Sequence, residues 1–212
     1  MRLPLGDVQH VVFRVAGALE IPVLVLILAA LAFVLVEVGR FAVELVRRRD
    51  RDFGRLEEAA EAARGHLVQG GDLVGASARL QVVAWSDEMG EALDFMVRQC
   101  GMPDAVERLA KALADFDFVS MRKLERTRVL VRVGPALGLM GTLIPLSPAL
   151  AGLANGDVEQ LSSNLRVAFS VTVLGLLVGA LAYLISLVRE RLYGQDLSDL
   201  EFVASRLAGG AR

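Results

Sequence analysis

Two stretches of the chain, 133–154 and 167–188, each run for 22 residues without Asp, Glu, Lys, Arg or His. At about 1.5 Å per residue, a helix of that length spans roughly 33 Å, enough to cross the hydrocarbon core of a bilayer. A third uncharged run, 21–36, is 16 residues long. It extends through Val38, Phe41, Val43, Leu45 and Val46 with Glu37, Arg40 and Glu44 interspersed, the pattern of a helix leaving a membrane. The chain is 54% hydrophobic yet 23% charged, so its charge is segregated from its apolar runs. Together these features predict an all-α integral membrane protein with three transmembrane helices, two of them extended into a cytoplasmic helical bundle. Asp7 and Glu20 precede the first run, where a cleaved signal wants plain positive charge, so that run reads as a retained span.

Basic residues set the expected orientation. Arg40, Arg47, Arg48, Arg49, Arg51 and Arg55 follow the first run. Arg122, Lys123, Arg126, Arg128 and Arg132 precede the second, and Arg189 and Arg191 follow the third. The opposite ends hold only Arg2, Arg14 and Arg166. Positive residues stay on the cytoplasmic side, which puts the N-terminus outside and the C-terminus in the cytoplasm. The resulting layout is an external amphipathic segment at 1–19, carrying Val8, Val11, Val12, Val15 and Leu19 at helical spacing, and a first span at 20–46. A cytoplasmic helical region follows at 47–127, then a second span at 128–154, an external loop at 155–166 turning at Asn155-Gly156, a third span at 167–188, and a cytoplasmic helical tail at 189–212.

The cytoplasmic region reads as helices punctuated by Gly70-Gly71 and Gly101. Asp104 and Glu107 have the spacing of a helix-start capping box. Val106, Leu109, Leu113, Phe116 and Leu124 make one apolar stripe, and no breaker separates it from the second span, so one helix is expected from about residue 104 to about 154. The third run likewise continues apolar through Leu192, Leu200, Val203 and Leu207, with Gly194 as a position where it can break.

Inside the spans the residues are small. Gly134 and Gly138 form G-x-x-x-G, and Gly141, Pro145 and Pro148 continue that face. Gly175 and Gly179 form a second G-x-x-x-G on the third helix, with Ser186 further along. In lipid, helices associate through close packing of small residues, so these faces are shaped for contact with protein, between copies or within one chain. Prolines inside a membrane helix free carbonyls that neighbours or water must satisfy. Thr142, Ser170 and Thr172 are polar groups in the runs; each can bond the carbonyl one turn back, and together they suit a wettable path. None of them titrates near neutral pH. An ion-handling device built on these two runs therefore needs a carboxylate from another polypeptide.

Other chemistries find little footing. A net charge of −2 gives no reason to expect nucleic acid as a partner. Cys100 is alone, and His10 and His66 lie far apart without ligand spacing, so no disulfide, metal or other cofactor is expected. Ser147, Ser162 and Ser163 have no histidine near them in sequence, and no nucleotide loop appears, so an enzyme is not expected.

At the spans the sequence resembles the MotA/TolQ/ExbB proton-channel family. "GPALGLMGTLIPL" is similar to that family's Pro-x-x-Gly-x-x-Gly-Thr segment and "AFSVTVLGLLVGA" to its Ala-x-x-x-Thr-x-x-Gly segment. The acidic position that many ExbB-like members carry five residues before the third-span threonine is Val167 here, beside Arg166. The resemblance implies a homo-oligomeric ring, a pentamer, around a small single-span partner similar to ExbD, TolR or MotB that brings a membrane aspartate. It implies that Thr142 and Thr172, with Ser170, line the ion path, that Pro135 and Gly138 start the second span, and that ion flow, of protons above all, is converted to mechanical work. The alternative is a non-conducting membrane scaffold whose cytoplasmic bundle docks other proteins.

Overall fold

A computed structural model describes the backbone of residues 5–208 and the side chains of 11–208 apart from Asp50 and Gly70. Arg2, and the side chains of Val8 and His10, lie outside the described residues. Every described element is helical: α1 (Leu5–Ala18), α2 (Glu20–Arg47), a 3₁₀ turn (Arg48–Asp50), α3 (Phe53–Gly70), α4 (Leu73–Gln81), α5 (Asp87–Gln99), α6 (Ala105–Ala154) and α7 (Val158–Ala208). The stretches Val11–Arg47, Ala105–Ala154 and Val158–Ala208 are each long and apolar enough to cross a membrane.

The chain forms two compact units, Met1–Gly39 with Arg126–Ser186, and Arg40–Glu125 with Leu187–Arg212. The second unit is built on one helical core. Leu56, Ala60 and Ala63 of α3, Leu80 of α4, Leu93 and Met96 of α5, Leu109 and Phe116 of α6, and Leu200 and Val203 of α7 are buried together. Short polar side chains start its helices where the first N–H groups lack partners. Asp52 accepts from the Gly54 N–H, Asp72 from the Gly75 N–H, and Ser86 from the Met89 N–H. Gly71 closes α3 in the left-handed region at φ 63°, and its N–H satisfies carbonyls of the last turn. Replacing Ser86 by alanine removes the cap of α5. We expect a loss of about 1 kcal/mol, measured by chemical unfolding of the full chain with the single tryptophan, Trp85, as the fluorophore.

The apolar stripe on α6 is shifted from its sequence reading. Val106 is 68% exposed, and the buried line instead runs through Ala105, Leu109, Ala112, Phe116 and Leu124. Steps of four, three and four residues follow one face of a helix, and Val106 stands about 100° off it. α7 runs unbroken through Gly194. The α6–α7 connection is also tighter than the 155–166 loop read from sequence. Gly156 turns at φ 80°, and α7 begins at Val158, where the Asp157 carboxylate accepts from the Gln160 N–H.

In the first unit the arrangement is that of helices in lipid. Val23 and Ile27 of α2 are buried with Leu137 and Val171, and Ala30 and Val34 with Val178 and Ala182. Large apolar side chains such as Leu26, Leu143, Phe169 and Val173 face outward.

Candidate functional site

The glycines of α6 and α7 meet each other. A methyl group placed on Gly175 would stand 2.6 Å from the carbonyl oxygen of Gly134 and 2.8 Å from the Cα of Gly138. One on Gly134 would stand 2.9 Å from the amide nitrogen of Gly179, and one on Gly179 would strike the ring of Pro135 at 2.8 Å. The two G-x-x-x-G motifs thus serve one crossing inside a single chain, and their backbones touch as no larger residue permits. Gly141 lies beneath the side chain of Val171, and Pro145 is buried beyond it. The buried face then continues through Ala149 and Gly152, whereas Pro148, which the sequence spacing puts on it, is exposed. Pro145 to Ala149 is a step of four and Ala149 to Gly152 a step of three, which keeps to the helical face; Pro148 falls one residue short of it.

The hydroxyls occupy different places along this seam. Thr172 is half-buried beside Gly138: a methyl placed on that glycine would lie 3.4 Å from the Thr172 Cα. The Thr172 Oγ1 donates to the carbonyl of Ala168 at 3.1 Å. Thr142 is half-buried, donating to the Leu139 carbonyl at 2.7 Å. Ser170 is exposed on another face and donates to the Arg166 carbonyl at 2.8 Å. Each hydroxyl is therefore satisfied by its own helix, which lets it sit among apolar neighbours at little cost.

Sequence reasoning passed over a second polar pair. Thr127 on α6 is fully buried, and its Oγ1 lies 2.8 Å from the Oγ of Ser186 on α7. Ser186 Oγ also lies 2.8 Å from the Ala182 carbonyl. The signal was present: Thr127, Gly134, Gly138, Gly141 and Pro145 share one helical face.

The second unit holds a buried charge cluster that the sequence shows only as separate residues. Arg48 is 8% exposed and grips Asp196 with two bonds, of 2.9 and 2.6 Å. It also reaches Glu44 at 3.2 Å, and the other oxygen of Glu44 accepts from Arg189 at 3.1 Å. One turn on, Arg51 grips Asp199. Three residues make one turn of a 3₁₀ helix, so Arg48 and Arg51 stand on one side of that turn, opposite carboxylates likewise three apart on α7. Burial pushes the carboxyl of Asp196 up from its usual range, against the pull of Arg48. Burial, helped by Glu44, pushes the Tyr193 phenol up to about 12. Among the described residues no group of His, Cys, Asp and Glu side chains has the makings of a metal site.

The family model described as the MotA/TolQ/ExbB proton channel family matches residues 91–201, from α5 through all of α6 and most of α7. No match was found among curated proteins or among solved structures.

Proposed function

This chain belongs to the MotA/TolQ/ExbB proton channel family, and we propose that it is the ring-forming subunit of an ion-driven membrane motor. In this reading several copies, five by resemblance, surround the single span of a small partner like ExbD, TolR or MotB, and that partner supplies a membrane aspartate. The complex sits in the inner membrane with the N-terminus outside and both ends of the 47–127 region in the cytoplasm. The observation that carries the proposal is the pair of spans themselves, 133–154 and 167–188. They are devoid of charge and joined by a glycine seam, so they make a stiff wall with no ion carrier of their own.

The work is physically accessible. Each charge crossing about 100 mV releases about 2.3 kcal/mol, so a few ions suffice to shift one helix against another. Thr142 and Thr172, with Ser170, line the hydrated route, their oxygens still offering lone pairs to water after each proton is given to a backbone carbonyl. Gly134, Gly138, Gly141, Gly175 and Gly179 set the helix spacing, and Pro135 and Pro145 shape the path of α6. The scaffold reading draws on one observation, that every one of these hydroxyls is already bonded within its own helix.

Isolation of the complex from its native membrane decides between them. A co-purifying small protein with one span and a membrane Asp supports the motor, and a chain recovered without one supports the scaffold. Thr172→Val keeps shape and removes the hydroxyl. The expected result is reduced ion-driven output with assembly intact; unchanged output removes Thr172 from the mechanism.

A further inference from the structure

The apolar side chains of α1 face away from the rest of the described chain. Val11, Val12, Phe13 and Val15 are each more than half exposed, and across 11–18 only Ala16 is half-buried. At about 100° per residue, Ala18, Val11, Val15, Val12, Ala16 and Phe13 follow one another around about 220° of the helix surface. Gly17 and Arg14 take the remainder, and both are exposed.

α1 is a helix apart from the span that follows it. Leu19 stands between the two, and its N–H bonds the Ala16 carbonyl at 3.1 Å, three residues back where a continuing helix would reach four. Pro22 has no N–H, so the Ala18 carbonyl lacks the donor that a helix would bring it four residues on. The first span also needs nothing from α1. From Glu20 to Gly39, α2 measures about 30 Å, the thickness of a hydrocarbon core.

The width of the apolar arc points to what covers it. A helix seated against protein buries a stripe of about 100°. An arc about twice as wide, with one narrow polar strip, suits immersion up to the headgroups at a membrane surface. The neighbouring surface has the same character: Ile21 and Val25, at the start of α2, are 74% and 59% exposed and belong to the outward side of a span. We propose that α1 lies in the lipid–water boundary where α2 enters the bilayer. Its valines sit among phospholipid acyl chains, Arg14 reaches the headgroup phosphates, and the helix fixes the depth of the first span. The inference needs the spans alone and stands apart from the motor.

The test uses the full chain with Cys100→Ser and one of Val12→Cys, Arg14→Cys, Val15→Cys or Gly17→Cys; Gly17 has nothing within 4 Å of an added side-chain carbon. Each variant is labelled with a nitroxide in vesicles of phosphatidylethanolamine and phosphatidylglycerol. Paramagnetic resonance then reads collisions with oxygen, which concentrates among acyl chains, and with a water-soluble nickel chelate. Leu26→Cys, outward on α2, gives the lipid signal that certifies insertion of each preparation. Oxygen is expected to dominate at positions 12 and 15 and nickel at 14 and 17, alternating with the ~3.6-residue helical period. Nickel dominating at all four would mean that α1 stands in water. Oxygen dominating at all four would make it part of the span. Shielding from both at 12 and 15 would mean that protein, a second copy or a partner, covers it. Any of these three results overturns the proposal.

Discussion

Exchanging Gly175 for alanine is expected to cost about 3 kcal/mol and to separate α6 from α7. The added methyl would lie 2.6 Å from the oxygen of Gly134, 2.8 Å from the Cα of Gly138 and 2.9 Å from its nitrogen. All three are backbone atoms, so no side chain can turn aside to make room; one helix must move. Gly39 supplies the control. It lies in α2 with nothing within 4 Å of a methyl placed on it, so Gly39→Ala is expected to be neutral or slightly stabilising through helix propensity alone. Thermal unfolding of the two variants in one detergent compares them directly. Equal midpoints would mean that the helices do not meet at Gly175. Loss of ion-driven output in Gly175→Ala, at a temperature where it remains folded, would tie the close crossing to function as well as to stability.

The second large effect lies in the buried charge cluster. Side chains of Arg48 and Asp196 are 5% and 1% exposed. Removing one partner strands the other in a low-dielectric setting, and such losses run to about 3–5 kcal/mol. Asp196→Leu is expected to fall in that range, since Arg48 would keep only Glu44 at 3.2 Å and the carbonyl of Leu192 at 3.4 Å. The double variant Arg48→Met with Asp196→Leu removes both charges and leaves the Glu44–Arg189 pair in place. It is expected to recover most of the loss, because the desolvation of two ions disappears with them. Denaturant unfolding followed through Trp85 gives the four corners of the cycle. A double variant as unstable as Asp196→Leu alone would show that the cluster contributes through packing and not through charge.

Much of the fold was legible in the sequence because membranes and helix ends impose coarse rules. Uncharged length located the spans, and Gly71, Gly101 and Asn155-Gly156 marked the breaks, since positive φ and chain reversal favour such residues. Faces were legible only to within one residue. Val106 and Pro148 each sit one position from the buried line, and a single step of about 100° carries a side chain from core to surface. Partners were not legible at all. G-x-x-x-G announces a close contact without saying what it touches, and here the two motifs touch each other. Nothing in the sequence joins Arg48 to Asp196, 148 positions later; folding alone makes them neighbours.

The two arginine–aspartate pairs share the same offset of 148, Arg48 with Asp196 and Arg51 with Asp199. They engage like two adjacent teeth of a rack. A slide or twist of this part of α7 by even one residue would unseat both together, and the next matching position lies a full turn away, where no second acid of the same phase waits at Tyr193 or at Phe202. The tail of α7 is therefore indexed to the exit of α2: only one setting seats both pairs, and a slip of a full turn would seat one of them at most.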